Sequence, residues 1–136
     1  MPHLYDVSLK LTNHQANDID TVESYVGLRE ISTADGALRL NEQPLYLRGV
    51  LDQGYFPEGW YTALTDDDIR RDVELTLAMG FNCARKHQKA EDPRYLYWAD
   101  KLGLLVWAEM PSGRIFSTEL VEACLLYTSP SPRDIG

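Results

Sequence analysis

The sequence predicts an α/β protein in which a parallel β-sheet covered by helices follows a shorter all-β segment. Two features of the chain support this prediction. From residue 44 onwards, short apolar runs alternate with single amphipathic helical patterns, and that alternation is typical of strands joined by right-handed helical crossovers. The first 32 residues instead alternate apolar and polar positions, as half-buried strands do. The βαβαβ pattern leaves two architectures open, a doubly wound sheet and a (β/α)-barrel.

The all-β segment contains two strand-like runs. LYDVSLKL is the first, NHQAND supplies turn residues, and TVESYVGLREI is a second run that reaches Ile31. Together they predict a β-hairpin at the edge of a sandwich. Because an isolated hairpin is only marginally stable in water, we expect its partner strands to precede Met1.

The parallel sheet is predicted to begin after the sequence TADG, where the pattern changes. ALRLNEQP predicts a short hairpin with Asn41 in its turn. PLYLRGVL, residues 44–51, is almost continuously apolar and predicts the first parallel strand, buried on both faces.

The first helix is predicted within TDDDIRRDVELTLAMG. Thr65 can cap it, the aspartates at 66–68 suit the positive end of the helix dipole, and Gly80 can adopt the left-handed conformation at its end. We assign these aspartates to capping and not to a metal site. The predicted apolar stripe consists of Ile69, Val73 and Leu77, widened by Leu75 and Met79.

A second helix is predicted between the short strands FNCAR and LLVWAEM. EDPRYLYWADKLG has Asp92 in the capping position, Pro93 at the first helical position and Gly103 at the end.

Polar side chains follow each of the three predicted parallel strands. Asp52 and Gln53 follow the first, Arg85 and His87 the second, and Glu109 ends the third. In a (β/α)-barrel the carboxyl ends of the strands form the rim that carries the chemistry. We therefore expect these side chains to share one rim.

The ordered motifs LNEQPLYLRGV, GFNCARKHQ and DPRYLYWADKLGLLVWAEMPS resemble the start of the catalytic domain of glycoside hydrolase family 2. The family includes β-galactosidases, β-glucuronidases and β-mannosidases, and SYVGLREI resembles the closing strand of its immunoglobulin-like domain. The resemblance implies that residues 1–32 end an immunoglobulin-like β-sandwich. It also implies that residues 33–123 form the first three strands of a (β/α)8 TIM barrel. LDQGYFPEGWYT departs from the Asn-Arg-His-type segment of better-known β-galactosidases, so the resemblance does not identify the sugar.

The resemblance also implies a reaction, the retaining hydrolysis of β-glycosidic bonds in carbohydrate metabolism. Such enzymes use two carboxylates about 5 Å apart, which the resemblance places after the fourth and seventh barrel strands. We therefore expect no catalytic residue in this chain, and we expect the piece to be inactive by itself. The substrate-binding residues implied are Arg85, His87, Glu109 and Asp52.

Each of these residues has a structural alternative. Arg85 and Glu109 could pair only to support the rim, and Asp52 could cap a turn. The aromatic residues of YFPEGWY could stack on a sugar or pack the loop onto the barrel.

Two further interpretations of the whole chain stay open. One is a non-catalytic carbohydrate-binding or structural piece. The other is a different barrel or doubly wound enzyme, although LDQGYF lacks a glycine-rich phosphate loop.

Composition narrows the partners. The chain has 136 residues and a formal net charge of −8, which disfavours nucleic acid and anionic membranes and fits neutral substrates better. The family resemblance implies that the partner is a carbohydrate. No apolar run is long enough to predict a membrane span. Cys83 and Cys124 form no metal-ligand pattern, and we expect neither metal nor cofactor. Oligomeric state and compartment are not predicted.

The last 13 residues, CLLYTSPSPRDIG, switch to a Ser/Pro-rich composition. This segment resembles the translated read-through of a sequencing adapter. We expect residues 124–136 to be an artefact or a flexible tail.

Overall fold

The computed structural model of the protein describes residues 3–15, 17–113, 117–119 and 121–122. The chain divides into two compact units, with the boundary between Leu45 and Tyr46. The predicted domain division after residue 32 stays a prediction. The predicted tail, residues 124–136, lies outside the described residues.

The first unit begins with the predicted hairpin. β1 (Leu4–Thr12) pairs antiparallel with β2 (Asp18–Gly27), and the side chain of Asn13 accepts two backbone hydrogen bonds within the turn. The prediction that the second strand continues to Ile31 is wrong. β2 ends at Gly27, and Ile31 opens a strand of a different sheet. The apolar pattern is unbroken across this point, so it could not locate the change of sheet.

A three-stranded antiparallel meander follows, made of β3 (Ile31–Ala34), β4 (Ala37–Leu40) and β5 (Gln43–Pro44). Both connections are two-residue turns with positive φ, at Asp35-Gly36 (54° and 72°) and at Asn41-Glu42 (49° and 65°). Positive φ at both central residues defines the type I′ turn, whose twist matches that of the paired strands. The hairpin turn at Asn41 is confirmed, and TADG proves to be a hairpin turn as well.

The second unit contains the parallel sheet, in the order β6 (Gly49–Asp52), β7 (Cys83–Lys86), β8 (Leu105–Ala108). This confirms the βαβαβ arrangement. The first parallel strand is shorter than predicted, because Pro44 pairs in the short strand β5 and the Leu45 N–H donates to Leu38 of β4, so that β6 begins only at Gly49. The prediction that this strand is buried on both faces is also wrong, since Leu51 is 53% exposed.

α1 (Asp66–Ala78) has the predicted ends. Thr65 and Asp68 form a reciprocal capping box: the Thr65 hydroxyl accepts from the Asp68 N–H, and the Asp68 carboxylate accepts from the Thr65 N–H. At the other end Gly80 has a φ of 90°. Its N–H donates to Leu77, and the next N–H donates to Thr76, which is the Schellman pattern of a helix end.

The buried face of α1 is narrower than predicted. Ile69 and Val73 are buried, as expected, but Leu75 and Met79 are exposed. A residue two positions along a helix is turned by roughly 200°, so these two side chains lie on the side away from the core. Their inclusion in the stripe was wrong.

α2 (Pro93–Leu102) is capped by Asp92 and ends at Gly103, which has a φ of 88°, as predicted. The core lies between the two helices and the sheet, and it consists of Ala63, Ile69, Val73, Ala84, Tyr95, Ala99 and Leu104. Within the described ranges, no helix has the length and apolar character needed to cross a membrane.

Candidate functional site

Arg85 and Glu109 meet at the carboxyl ends of neighbouring parallel strands. The Arg85 Nε donates to one oxygen of Glu109 at 2.5 Å, and the other oxygen accepts from the backbone N–H of Gln88 at 3.2 Å. The hydrogen bond from Arg85 is the main reason why the pKa of Glu109 is lowered. The guanidinium also lies 5.7 Å from the ring centroid of Trp107. Two of the residues predicted to share the rim are therefore in direct contact.

The pair is accessible from solvent. The side chain of Arg85 is 44% exposed and that of Glu109 is 19% exposed. Among the described residues, the terminal nitrogens of Arg85 have no hydrogen-bond acceptor, so they can donate to hydroxyl oxygens of a ligand. Glu109 meanwhile fixes the plane of the guanidinium.

β7 places its charged residues on opposite sides of the sheet. Successive side chains of a strand point to opposite faces, and Lys86 contacts Asp72 of α1 and Tyr95 of α2. Lys86 therefore lies on the helix side, whereas Arg85 lies on the other side of the sheet beside Trp107.

On the helix side of the sheet, Lys86 lies close to a second lysine and to three carboxylates, of which Glu91 is the most buried and Asp72 the most exposed. Lys86 is fully buried, and its Nζ lies 2.5 Å from Asp52, 2.9 Å from Glu91, 4.0 Å from Asp72 and 3.7 Å from the ring centroid of Tyr95. Lys89 Nζ lies 2.9 Å from the other Glu91 oxygen. Removing a cation from water is costly unless carboxylates compensate it, which explains why these groups converge. We call Lys86, Lys89, Asp52, Asp72 and Glu91 the lysine cluster.

Within the lysine cluster the pKa of Glu91 and that of Asp72 shift in opposite directions, and the pKa of the neighbouring Tyr95 shifts as well. Burial alone would raise the pKa of Glu91, but hydrogen bonds from Lys89, from the backbone N–H of Asp92 and from Lys86 outweigh it, and the net pKa is lowered. Burial and then the charge of Asp52 raise the pKa of Asp72. The pKa of the buried Tyr95 phenol is raised far above its ordinary value, first by burial and then by the charges of Asp52, Asp72 and Glu91. Glu91 and Tyr95 are therefore held in their usual neutral-pH forms, ionised and protonated respectively.

Of the other two predicted site residues, His87 lies close enough to the Arg85–Glu109 pair for its charge to contribute to the lowered pKa of Glu109, whereas Asp52 does not join the pair. Asp52 lies on the helix side, where it binds Lys86, and its second oxygen accepts from the Gly54 N–H at 2.6 Å. The His87 backbone N–H donates to the Asp52 carbonyl at 2.8 Å and extends the β6–β7 pairing. Direct substrate contact by Asp52 and His87 stays a prediction.

The loop after β6 folds into a small aromatic hairpin, residues 55–61. Phe56 and Trp60 exchange two backbone hydrogen bonds, of 2.6 Å and 3.0 Å. The rings of Tyr55 and Tyr61 lie 5.4 Å apart and are tilted by 58°. Lys89 Nζ donates to the carbonyls of Gly54 at 2.8 Å and Tyr61 at 3.0 Å, and thus binds both ends of the hairpin.

The lysine cluster was missed by the sequence analysis, although a signal for it was present. In FNCARKHQKAED the period of two puts Ala84 and Lys86 on the same face, and Ala84 is in the core. A lysine on a core-facing position requires a carboxylate partner. The acidic residues at 52, 72 and 91 are far apart in sequence, so the pattern could not identify which of them pair with it.

A βαβαβ unit with charged side chains at the carboxyl ends of its strands is the arrangement with which a (β/α)-barrel domain begins. The family model "Glycosyl hydrolases family 2, TIM barrel domain" matches residues 31–132. The chain belongs to this family.

Relatives and solved structures agree with this assignment. The chain is 33% identical over 108 residues to a β-galactosidase of Photobacterium profundum, covering 79% of this chain and 10% of the relative. It is 32% identical over 144 residues to a β-galactosidase of Pseudoalteromonas haloplanktis, covering 98% of this chain and 14% of the relative. A β-glucuronidase structure from Parabacteroides merdae superposes with a TM-score of 0.77 at 27% identity, covering 89% of this chain and 15% of that one. The chain thus spans only a small part of the length of these proteins.

Proposed function

We propose that this chain is part of a β-glycoside hydrolase with a retaining mechanism, and that Arg85 and Glu109 form one wall of its sugar-binding pocket. The observation that carries this proposal is the hydrogen-bonded pair at the carboxyl ends of β7 and β8. In a TIM barrel this rim is where substrates bind. Arg85 donates to sugar oxygens, and Glu109 orients it.

The state of Glu109 supports a binding role over a catalytic one. A general acid needs a raised pKa, so that it holds a proton at neutral pH. The pKa of Glu109 is lowered by its hydrogen bond with Arg85, and both of its oxygens are engaged. The acid/base and nucleophile would then be supplied by later barrel strands. The chain by itself would hold part of a pocket and would not hydrolyse a glycoside.

We further propose that His87 contacts the substrate at the rim and that Asp52 acts mainly through Lys86. The short bond between Asp52 and Lys86 supports the second assignment. The closing part of an immunoglobulin-like sandwich is our proposal for the β1–β2 hairpin. Its apolar side chains Leu9, Leu11, Ile19 and Val22 are all more than half exposed, so the hairpin has an apolar surface that a second sheet would cover.

The test is an assay on the extended protein. Long-read sequencing of the source DNA beyond codon 136 would define the reading frame, and the product would be assayed on 4-nitrophenyl β-D-galactoside and β-D-glucuronide. We expect hydrolysis of one of these substrates, and a kcat/KM lowered by roughly 10- to 100-fold in Arg85→Met, because a charged hydrogen bond contributes about 1.5–3 kcal/mol. Arg94→Met, an exposed arginine on α2, is the control.

Either of two results would contradict the proposal. The extended protein could fail to hydrolyse any β-linked substrate, or Arg85→Met could match Arg94→Met in kcat/KM. A non-catalytic carbohydrate-binding protein is the second candidate, and sugar binding without hydrolysis by the extended protein would favour it.

A further inference from the structure

The aromatic hairpin is held by a single buried ammonium group. Lys89 is only 5% exposed, and its Nζ has three oxygen partners within 3.0 Å: the carbonyls of Gly54 and Tyr61 and the carboxylate of Glu91. An ammonium has three N–H donors, so its hydrogen-bonding capacity is filled. Because Gly54 and Tyr61 flank the hairpin, this one residue fixes both of its ends to the segment that follows β7.

The fit around Lys89 is close. A side-chain carbon added at Gly54 would lie 2.6 Å from the Lys89 Nζ and 2.7 Å from a Glu91 oxygen. Gly54 also has a φ of 69°, a conformation that residues with side chains rarely adopt. The Lys89 Nζ lies 4.4 Å from the ring centroid of Tyr61, within the range of a cation–π contact. The position of the hairpin is therefore strictly determined at its base.

The hairpin presents aromatic rings to solvent despite this rigid base. Trp60 is 77% exposed, Tyr55 is 63% exposed and Tyr61 is 47% exposed. Tyr55 and Tyr61 contact each other, and Tyr61 also contacts Lys89, so packing accounts in part for these two rings. It does not account for the exposed Trp60, whereas Phe56 of the same hairpin packs against the core. Exposed aromatic rings on a rigid backbone are expected where rings stack on a ligand, because the loop then loses little conformational freedom when the ligand binds.

The location and charge of the hairpin define the chemistry of the ligand. It follows β6, and the carboxyl ends of β6, β7 and β8 lie on the same edge of the parallel sheet. The only charged side chain within the hairpin is that of Glu58, and the whole chain carries a net charge of −8. Aromatic rings on a hairpin that carries no cation of its own suit the apolar C–H faces of neutral sugar rings.

We propose that the aromatic hairpin is a carbohydrate-stacking surface at the rim, in addition to the Arg85–Glu109 pocket, and that Lys89 is its positioning residue. The ligand class is a neutral β-linked oligosaccharide, and the hairpin binds a sugar unit beyond the one held by Arg85. This inference rests on the proposed glycosidase function, which it extends from one sugar unit to a longer chain.

The positioning role is tested on the 136-residue protein by chymotrypsin cleavage mapped by mass spectrometry. In Lys89→Met we expect cleavage after Tyr55, Trp60 and Tyr61 to become at least 10-fold faster, with unchanged far-ultraviolet circular dichroism. Gly54→Ala should accelerate the same cleavages although the lysine is intact, because its side chain displaces the ammonium. Lys101→Met, on the far end of α2, is the matched control and should cleave like the parent. Unchanged cleavage at these three sites in both Lys89→Met and Gly54→Ala would overturn the positioning role.

Sugar binding is tested by saturation-transfer NMR with cellotetraose and lactose as probes. We expect transfer to the sugar C–H protons that falls at least threefold in Trp60→Ala, in Tyr55→Ala and in Lys89→Met, but not in Lys101→Met. Equal transfer to the parent and to both aromatic variants, or none to the parent, would overturn the stacking surface.

Arg85→Met separates the two sites in the same experiment. Transfer that is lost in Arg85→Met but kept in the hairpin variants would leave the proposed pocket standing and reject the hairpin. Transfer that is kept in Arg85→Met and lost in the hairpin variants would support the hairpin independently of the pocket.

Discussion

At the scale of single residues, the pKa of Glu109 can be used to test whether the Arg85–Glu109 pair forms in solution. The hydrogen bond and charge of Arg85 lower the pKa of Glu109, so the pair is intact at neutral pH and is lost as the pH falls through that lowered pKa. We expect Arg85→Met to move the pKa of Glu109 upwards, towards its ordinary value of 4.5. A pH titration of the Glu109 carboxyl carbon by NMR measures this shift.

The control for that titration is Arg94→Met. Arg94 lowers the pKa of Asp92 through its own hydrogen bonds, so its removal should move Asp92 and leave Glu109 unchanged. A Glu109 titration that is identical with and without Arg85 would show that the pair does not form in solution.

The residue scale also marks how far the sequence could predict the candidate site. Arg85 and Glu109 were predicted at strand ends, and the structure brings them together because β7 and β8 are adjacent parallel strands. Lys86 was overlooked because its significance depends on which helices cover the sheet. Its partners Asp52, Asp72 and Glu91 belong to three different elements, and a single sequence does not specify contacts between distant elements.

At the scale of secondary-structure elements, the capping box of α1 makes a stability prediction. Thr65→Ala removes the hydroxyl that accepts from the Asp68 N–H, and such caps contribute about 1 kcal/mol. We expect the free energy of unfolding, measured by urea titration, to fall by about that amount, and Thr65→Ser to restore most of it. Thr62→Ala is the matched control, because that threonine is exposed and, within the described residues, hydrogen-bonds only through its backbone. Equal losses from the two alanine variants would contradict the cap.

The lysine cluster makes a larger prediction, because it joins β6, α1 and the segment before α2. Lys86→Met would leave Asp52 without the Lys86 ammonium and Glu91 with Lys89 as its remaining cation, and breaking a buried ion pair from one side costs about 3–5 kcal/mol. We expect the midpoint of urea unfolding to fall far more than in Lys101→Met. A loss below about 1 kcal/mol would show that the cluster is not buried in solution.

The same cluster predicts how this stability depends on pH. The pKa of Glu91 is lowered in the folded protein, so its contribution is present above the ordinary pKa of a glutamate and is lost as the pH falls through the lowered value. We expect the parent to lose stability in that acidic range more steeply than Glu91→Gln, as measured by urea unfolding at a series of pH values. If the free energy of unfolding of the two proteins fell equally with pH, Glu91 would not contribute to the pH dependence of stability.

At the scale of the whole molecule, the order and type of the helices and parallel strands were predictable, whereas the strand boundaries were not. Caps at Thr65, Asp92 and Gly103 are local signals and located both helices. The division at residues 27–31 and the late start of β6 depend on which sheet each segment joins, and an unbroken apolar pattern fits either choice. The strand boundaries therefore depend on which strands pair in the folded protein, and local β-propensity does not determine them.

The parallel sheet also predicts how the 136-residue protein behaves in solution. Leu51 and Trp107 flank Arg85 in one row across the sheet and are 53% and 59% exposed, and in the described part of the chain β6 and β8 each pair on one side only. Exposed apolar side chains and open strand edges favour association. We therefore expect concentration-dependent self-association by light scattering coupled to gel filtration, and less of it in the double variant Leu51→Thr, Trp107→Thr. Leu75→Thr, Met79→Thr, which removes exposed apolar side chains from α1 instead, is the control and should associate like the parent. A monomer with a sharp cooperative melt at high concentration would contradict this expectation, because the sheet would then be stable without any further strand beside it.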